Sequence, residues 1–393
     1  MKPNDAARAF GASSDDQRPL VVHVVRQYAP SRGGLEDVVA NLCGTLPAQG
    51  FRVRVVTLDR LFTDRSTLLS HREIVDDVEV IRIPWRGSSR YPLAPQVLRH
   101  IEDADIVHVH AIDFFFDALA LAKPFHGKRL VATTHGGFFH TPKFALLKKI
   151  WFSTATRLSA SAYAALICCS AADKQLFAKI SARRSVLIEN GVDTRKFADL
   201  ASNVPQRHLL TIGRFSSNKR LDRLLDTVAA LSPEWSLDII GGPSDWREED
   251  VRHAIAERGL QNRVALFLSA PLEIIKERIA KASLFVSASD YEGFGLVAVE
   301  AMSAGLVPVL HTNEAYRQLA NTHSQIHLAD FSKPAHAAYE IERAYASLVH
   351  DPEGLRRQMM EYAEHYAWDH VIHRYADVYQ HVLGAASGGK ADR

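Results

Sequence analysis

Short apolar runs alternate with longer amphipathic stretches along the first half of the chain. The apolar runs are rich in Val, Ile and Leu and occupy residues 20–25, 52–57, 105–110, 129–134 and 164–169. Strands buried on both faces have such continuous runs, and strands that alternate with helices form parallel, doubly wound sheets. The first half is therefore predicted to be a Rossmann-like α/β unit, with its first helix over Leu35–Ala48.

The same alternation restarts at His208 and continues through the second half. Strands are predicted at residues 208–213, 236–240, 263–267, 283–287 and 306–310. A helix is predicted from Arg220 and further amphipathic helices over 334–383. The pattern predicts a second Rossmann-like sheet, with both sheets binding ligands beyond the carboxyl ends of their strands.

The length of 393 residues favours two domains, because single hydrophobic cores stop growing at roughly 250–300 residues. We place them at residues 19–198 and 207–366, joined by the weakly patterned stretch 198–206. Residues 367–383 are expected to form a helix that crosses back to the N-terminal domain. Residues 1–18 and 384–393 are expected to be flexible ends.

Composition narrows the functional classes. A formal net charge of +2 argues against nucleic acid as a partner. The three cysteines, Cys43, Cys168 and Cys169, do not form a disulfide framework, which favours a reduced, cytoplasmic setting. Cys168 and Cys169 lie in an apolar run and are expected to be buried. The chain has no run of roughly 18–20 apolar residues that would span a membrane.

Glycines follow two predicted strands of the first half. Gly33 and Gly34 come between the first strand and a helix, where a bare backbone can approach an anionic ligand, although the pair also suits a simple tight turn. His135 ends the strand 129–134 and is followed by two glycines and two phenylalanines. This loop is predicted to lie against a substrate; a solvated loop histidine is the alternative.

Two cations follow the first strand of the second half. Arg214 and Lys219 stand in Gly-Arg-Phe-Ser-Ser-Asn-Lys, just before a helix. Arginine offers a forked donor and lysine a point charge, a combination that suits a diphosphate. Ordinary surface cations are the alternative, and the strand-end position favours phosphate.

The segment Glu292–Glu300 is the most informative. Gly293 and Gly295 flank Phe294 at a predicted helix start, where backbone N–H groups are exposed to a ligand. At 1.5 Å per helical residue, Glu292 and Glu300 lie about 12 Å apart, too far to act on one atom. One carboxylate is therefore assigned to a sugar and the other to a different part of the same ligand, most simply ribose hydroxyls.

No metal site is predicted. Asp103-Ala-Asp105 has the Asp-x-Asp form of metal-dependent transferases, but it precedes a strand and so lies at the wrong end of the sheet. No Cys/His set has zinc spacing, and the chain has no Walker-type phosphate loop. We expect no cofactor.

Together, Gly33-Gly34, Glu189-Asn-Gly-Val-Asp193, Gly213-Arg214-Phe with Lys219, and the E-x7-E segment Glu292–Glu300 resemble glycosyltransferase family 4. The resemblance covers residues 20–383. It implies the GT-B fold, in which two Rossmann-like domains face each other across a cleft. The N-terminal domain would take the acceptor and the C-terminal domain a nucleotide sugar, with transfer that retains configuration and needs no metal.

The resemblance implies a role for each matching residue. Catalysis is assigned to His135, Glu292 and Lys219. Donor binding is assigned to Gly34, Arg214, Lys219, Gly293, Phe294, Gly295 and Glu300. Ser170 is expected to help position a substrate. Retention is expected to follow front-face displacement, in which the donor phosphate oxygen takes the acceptor proton.

Within the family, the closer resemblance is to the mannosyltransferases of acetan- and xanthan-type exopolysaccharide assembly. It implies GDP-mannose as donor and a cellobiosyl-diphospho-polyprenol as acceptor. Three alternatives stay open: a retaining transferase for UDP-glucose or UDP-N-acetylglucosamine, a nucleotide-sugar epimerase, and a non-catalytic nucleotide-sugar-binding protein.

A lipid-linked acceptor requires access to a membrane. Residues 143–157 are predicted to form a helix whose only charges are positive. Lys143, Lys148, Lys149 and Trp151 are predicted to contact an anionic membrane surface, at the inner face of the cell membrane. The alternative is an ordinary helix packed on the core.

Overall fold

The computed structural model describes residues 17–31, 33–136 and 150–385. The chain divides into two compact units. Among the described residues, the first unit comprises 17–31, 33–133, 151–166 and 375–385, and the second comprises 134–136, 150 and 167–374.

Sixteen strands are described. They are β1 (Leu20–Val24), β2 (Arg52–Leu58), β3 (Arg72–Val75), β4 (Val78–Ile83), β5 (Arg86–Ser88), β6 (Tyr91–Leu93), β7 (Ile106–His110), β8 (Arg129–Thr133), β9 (Ala165–Cys168), β10 (Ser185–Leu187), β11 (His208–Ile212), β12 (Ser236–Gly241), β13 (Val264–Leu268), β14 (Leu284–Ser287), β15 (Val307–His311) and β16 (His327–Ala329).

The described helices are interspersed with these strands along the chain. They are α1 (Gly34–Thr45), α2 (Phe114–His126), α3 (Arg157–Ala160), α4 (Ala171–Ser181), α5 (Leu221–Ala230), α6 (Glu248–Glu257), α7 (Leu272–Lys281), α8 (Leu296–Ser303), α9 (Glu314–Thr322), α10 (Pro334–His350), α11 (Pro352–Glu364) and α12 (Trp368–Gly384). A π-helical turn over Phe152–Thr156 runs into α3, and short 3₁₀ turns occupy Leu46–Gln49, Pro95–His100, Ala182–Arg184 and Ser217–Lys219.

The strands form two large sheets and one small hairpin. The eight-stranded sheet has the order β10-β9-β8-β7-β1-β2-β4-β3, and β5 pairs with β6. The six-stranded sheet has the order β13-β12-β11-β14-β15-β16, and all of its neighbours are parallel. Counted from β11, that order is 3-2-1-4-5-6, the strand order of a Rossmann fold. Each of the ten predicted strands is present to within one residue at either end.

The hairpin β3–β4 was not predicted. Its strands run antiparallel, with Val75 opposite Val78 and only Asp76 and Asp77 between them. Both aspartates have positive φ, 48° and 63°, as a type I′ turn requires. Asp-Asp is a weaker signal for this turn than Asn-Gly, and the β3 sequence Arg-Glu-Ile-Val has no polar–apolar alternation although its side chains alternate in exposure.

Side-chain periodicity explains how helices pack on the second sheet. Helix α5 buries Leu221, Leu224, Leu225 and Val228, the i, i+3, i+4, i+7 pattern of one helical face. These side chains belong to the core cluster of the second unit, which also includes β11 and β14. Burial of this face fixes the loop before α5, and that loop carries Lys219.

Three buried histidines lie side by side in the first sheet. His23 Nδ1 is 3.0 Å from His110 Nε2, and His108 is hydrogen-bonded to Tyr379 on α12 at 2.6 Å and to Thr133 at 2.8 Å. They are the one group of possible metal ligands found among the described residues. Burial lowers the pKa of His23 to about 3, so its ring is neutral. The hydrogen bonds of His108 connect α12 to the first sheet.

The Asp103-Ala-Asp105 segment lies at the amino ends of the first sheet's strands. Asp103 pairs with Arg54, with Oδ1 and Nη1 at 2.7 Å, and Asp105 accepts a hydrogen bond from the backbone N–H of Leu20 at 2.8 Å. Both carboxylates thus make structural contacts. Cys43, Cys168 and Cys169 are free thiols and all three are buried, which confirms the predicted burial of Cys168 and Cys169.

Candidate functional site

The order of the second sheet creates a crevice between β11 and β14. The strand order reverses there, because the chain extends from β11 to β12 and β13 on one side and returns to β14 on the other. In open α/β sheets, ligands bind beyond the carboxyl ends of the strands at this switch point. Gly213 and Arg214 follow β11, and the segment that leads to Glu292 follows β14. The fold therefore brings two of the predicted segments together.

Lys219 and Glu292 are in direct contact. Lys219 Nζ lies 2.7 Å from Glu292 Oε1, and both side chains are partly buried. The loop that carries Lys219 is tied to the segment before Glu292: Asn218 Nδ2 donates to the Tyr291 carbonyl at 2.8 Å, and the Asp290 N–H donates to the Asn218 carbonyl at 3.0 Å. These two hydrogen bonds hold the ion pair in place.

Tyr316 supports Glu292 from the interior. Its hydroxyl lies 3.2 Å from Glu292 Oε1 and 3.0 Å from Ser287 Oγ. Burial raises the pKa of Tyr316 well above its ordinary value, so the phenol keeps its proton and can donate it to a hydrogen bond. Asn313 caps α9 by accepting from the Tyr316 N–H and donates to the Ser289 carbonyl. Tyr316 was not predicted from the sequence. The available signal was Asn313, an N-cap residue type that marks the start of the helix on which Tyr316 lies.

Gly295 is required by the same packing. It has φ of 97°, and a Cβ at this position would lie 2.8 Å from the Tyr316 ring. A side chain would therefore be strained and would also displace the residue behind Glu292. The helix α8 begins at Leu296, so Gly293, Phe294 and Gly295 form the loop before it. The Phe294 ring is buried and packs edge-on against Tyr366 at 5.2 Å.

The His135 loop is held by contacts within the second unit. The Gly136 N–H donates to Asp173 at 3.1 Å, Thr134 donates to the same carboxylate oxygen, and the Tyr291 hydroxyl donates to the Gly136 carbonyl at 3.2 Å. His135 itself is half-buried and has φ of 49°, an uncommon conformation for a residue with a side chain. Asp173 therefore sets the conformation in which His135 is presented.

A cavity of about 180 Å³ is lined jointly by the His135 loop, the start of α4 and the segment around Glu292. Its lining includes Gly136, Ser170, Asp173, Glu292 and Gly293. Ser170 caps α4 by accepting from the Asp173 N–H at 3.2 Å. The pattern Ser-x-x-Asp predicts a capping box, but the Asp173 carboxylate instead binds the His135 loop. The predicted Ser170, Glu292 and Gly293 thus line one cavity, beside the residue that follows His135.

The remaining predicted donor residues lie on separate elements. Arg214 is exposed beyond β11. Glu300 lies on α8, with Oε1 3.4 Å from Lys196 Nζ. Gly34 is the first residue of α1 in the first unit, and acidic side chains occupy the first turn of that helix. No described helix is long and apolar enough to cross a bilayer.

Of the predicted membrane contacts, only Trp151 lies within the described residues, where it is exposed. Lys143, Lys148 and Lys149 lie outside them.

One polar pair at the switch point of the first sheet was also missed. β1 and β7 are neighbours there, and Arg26 Nε lies 3.0 Å from Asp113 Oδ2. Asp113 caps α2 through the Phe115 N–H at 2.9 Å. Burial raises the pKa of Asp113 to about 7 despite the nearby guanidinium. No motif marks this residue, since an N-cap aspartate is common in any protein.

Family models match both halves of the chain. Residues 32–196 match the model described as Glycosyltransferase Family 4, and residues 192–366 match Glycosyl transferases group 1. A GDP-mannose:cellobiosyl-diphosphopolyprenol alpha-mannosyltransferase of Xanthomonas oryzae is 46% identical over 93% of this chain and 97% of its own length. A Komagataeibacter xylinus protein of the same name is 42% identical over 94% of this chain and 95% of its own length.

Solved structures show the same fold. Sucrose-phosphate synthase from Thermosynechococcus elongatus has a TM-score of 0.75 at 18% identity, over 94% of this chain and 100% of that chain. Anabaena HepE, solved in complex with UDP and glucose, has a TM-score of 0.71 at 18% identity, over 92% of this chain and 99% of that chain. This chain is therefore a glycosyltransferase that belongs to family 4 and has the GT-B fold.

Proposed function

We propose that this chain transfers an α-mannosyl group from GDP-mannose to a cellobiosyl unit linked to polyprenyl diphosphate, with retention of configuration. The observation that carries the proposal is the 42–46% identity, over nearly the whole chain, to proteins whose names state this reaction. The Lys219–Glu292 pair at the switch point of the second sheet agrees with it, because the pair offers a cation and a carboxylate in one place.

Lys219 and Arg214 are assigned to the donor diphosphate. An ammonium group has three N–H donors, so Lys219 can keep its bond to Glu292 and still donate to a phosphate oxygen. Its charge would then offset the negative charge that grows on the departing nucleotide. Arg214, exposed at the end of β11, can swing onto the same diphosphate.

Glu292 is assigned to the sugar. Its contacts with Lys219 and Tyr316 fix the carboxylate, and in this position it can accept from sugar hydroxyls and stabilise an oxocarbenium-like centre. Gly293, Phe294 and Gly295 offer backbone N–H groups, Glu300 binds ribose, and Gly34 contacts the donor. His135 and Ser170 are assigned to the acceptor side of the reacting sugar.

The proposed chemistry is a front-face displacement. The acceptor hydroxyl oxygen bonds to the anomeric carbon on the side from which the diphosphate departs. The bond between that carbon and the phosphate oxygen breaks, and the departing phosphate oxygen takes the hydroxyl proton. The enzyme then needs no carboxylate nucleophile, which agrees with a site where Glu292 is already paired with a lysine.

The test is a donor screen with one acceptor. Purified protein is given labelled GDP-mannose, UDP-glucose or UDP-N-acetylglucosamine together with cellobiosyl-diphospho-polyprenol. Only GDP-mannose is expected to label the lipid, and α-mannosidase should release the label. Preference for a UDP sugar would overturn the donor assignment, and donor binding without any transfer would favour a binding protein.

Transfer is expected to be metal-independent, because Lys219 and Arg214 are proposed to meet the diphosphate charge. Initial rates measured with and without excess EDTA should agree within error. Complete loss of activity, restored by Mn²⁺ or Mg²⁺, would contradict this part of the proposal. We further propose peripheral membrane association through Lys143, Lys148, Lys149 and Trp151, as their sequence pattern predicts.

A further inference from the structure

Three large hydrophobic side chains are unusually exposed in one region of the first unit. Leu121 and Phe125 of α2 are 77% and 92% exposed, and Leu158 of α3 is 69% exposed. Single exposed apolar residues are common, but a cluster of them indicates an interaction site.

The helix α2 carries large apolar residues on both of its faces. Phe115, Phe116 and Leu119 point into the core of the first unit. Leu121 and Phe125 are four residues apart, so they lie one turn apart on the opposite face. The inner face already packs α2 onto the core of the first unit, so the apolar residues of the outer face are not needed for that packing.

The segment with Leu158 packs directly beside α2. The Tyr163 ring stacks on Phe116 at 4.4 Å, and its hydroxyl donates to the Phe116 carbonyl at 2.8 Å. Ser159, next to Leu158, donates to Asp117 at 2.7 Å. Asp117 is one helical turn before Leu121, so the Ser159 contact places the segment that carries Leu158 next to the outer row of α2. We call Leu121, Phe125 and Leu158 the α2–α3 face.

A carboxylate next to this face, that of Asp117, is occupied by hydrogen bonds. Asp117 Oδ1 accepts from Ser159, and Oδ2 accepts from the Tyr91 hydroxyl at 2.9 Å. The Tyr91 ring also packs edge-on against Phe114 at 5.8 Å, which places the β5–β6 hairpin beside the start of α2.

The sequence around the face is depleted of acids. The 55 residues between Asp117 and Asp173 contain no Asp or Glu, but they contain seven Lys and Arg residues. With 45 acids in 393 residues, the average of this chain would place about six there. Arg157, beside Leu158, is exposed. A hydrophobic face carried by a segment whose charged residues after Asp117 are all Lys or Arg is complementary to an anionic lipid surface.

We propose that the α2–α3 face docks on an anionic phospholipid bilayer, with Leu121, Phe125 and Leu158 inserted at the level of the headgroups. The inference rests on the proposed lipid-linked acceptor, which would be reached from that surface. A second copy of this chain fits less well, because a two-fold interface would bring the same cationic segment of both copies together.

The test is sedimentation with vesicles of phosphatidylcholine alone or with 30% phosphatidylglycerol. The variant L121S/F125S/L158S is expected to lower the partition coefficient for the anionic vesicles by more than about tenfold, because it removes most of the inserted apolar area. The matched control L68S/V204S/Y339S replaces three exposed side chains elsewhere, 62–68% exposed, and should bind like the native protein. Native binding should also be weaker to phosphatidylcholine alone.

Equal binding by the native protein and L121S/F125S/L158S would overturn the proposal, as would equal binding to both vesicle types. A native dimer that L121S/F125S/L158S converts to monomer would assign the face to a second copy instead. Thermal melting should be unchanged in both variants, since neither alters the core.

An acceptor with a short, water-soluble lipid separates docking from catalysis. L121S/F125S/L158S should transfer mannose to that acceptor at the native rate but lose transfer to acceptor in vesicles. If the native protein acts on the short acceptor but does not bind vesicles, the docking proposal is refuted and the proposed function is not. If the native protein binds vesicles but transfers no mannose to either acceptor, the proposed function is refuted and the docking proposal is not.

Discussion

Lys219→Ala is expected to lower kcat/KM for the donor by about ten- to 150-fold. A hydrogen bond to a charged group contributes roughly 1.5–3 kcal/mol, and each 1.36 kcal/mol corresponds to tenfold in rate. Lys219 is proposed to make such a bond to the departing diphosphate, where charge grows in the transition state. Steady-state kinetics with varied GDP-mannose and fixed acceptor measures the loss.

Two controls separate this effect from general damage. Lys276→Ala removes a lysine of the same charge from α7 in the second unit and should leave the kinetics unchanged. Lys219→Arg keeps the charge and should recover part of the activity. A folded Lys219→Ala protein with native kcat/KM would show that the diphosphate assignment is wrong.

Glu292→Gln is expected to have the larger effect of the two carboxylate replacements. It keeps the shape of the side chain but removes the charge next to the reacting sugar, where loss of one electrostatic contact costs on the order of 100-fold in kcat. Glu300→Gln changes a residue assigned to the ribose, so it should mainly raise KM for the donor. Measuring kcat and KM separately for both variants distinguishes these results.

Tyr316→Phe shows how much activity is lost when a residue that positions Glu292 is changed and Glu292 itself is kept. It removes the hydrogen bond from the Tyr316 hydroxyl to the Glu292 carboxylate, and a hydrogen bond to a charged group contributes roughly 1.5–3 kcal/mol, so the loss should be at most about ten- to 150-fold. Equal, small losses for Glu292→Gln and Glu300→Gln would contradict the division of roles between the two carboxylates.

The double replacement of Lys219 and Glu292 tests whether they act as one unit. Because their side chains are in direct contact, the combined loss should be smaller than the product of the two single losses. Simple multiplication of the losses would mean that the ion pair of the ligand-free structure is not maintained during the reaction.

The sequence alone was enough to predict the central strands and the polar residues that follow them. Parallel strands buried on both faces must be apolar throughout, so each appears as an uninterrupted run with clear ends. Arg214, Lys219 and Glu292 were identified because they follow such runs, and strand ends in a Rossmann-like sheet meet at one edge. The domain boundaries at 198 and 207 stay predictions.

Edge elements were harder to predict. The β3 sequence Arg-Glu-Ile-Val has no polar–apolar alternation, and β10 and β16 are only three residues long, so the sequences of these strands carry little periodic signal. Their strand identity depends on the neighbour to which they hydrogen-bond, and a single sequence does not state that neighbour.

Only the tertiary structure decided which polar groups touch. Lys219 and Glu292 are 73 residues apart, and Tyr316 comes from a third segment. Asp173 has the sequence pattern of a helix cap, but its carboxylate binds the His135 loop because that loop passes over the start of α4. The outer face of α2 also carries large apolar residues, and only its packing shows that Leu121 and Phe125 are exposed. Periodicity reports which residues share a face; burial and hydrogen bonding depend on what covers that face, and long-range packing alone determines this.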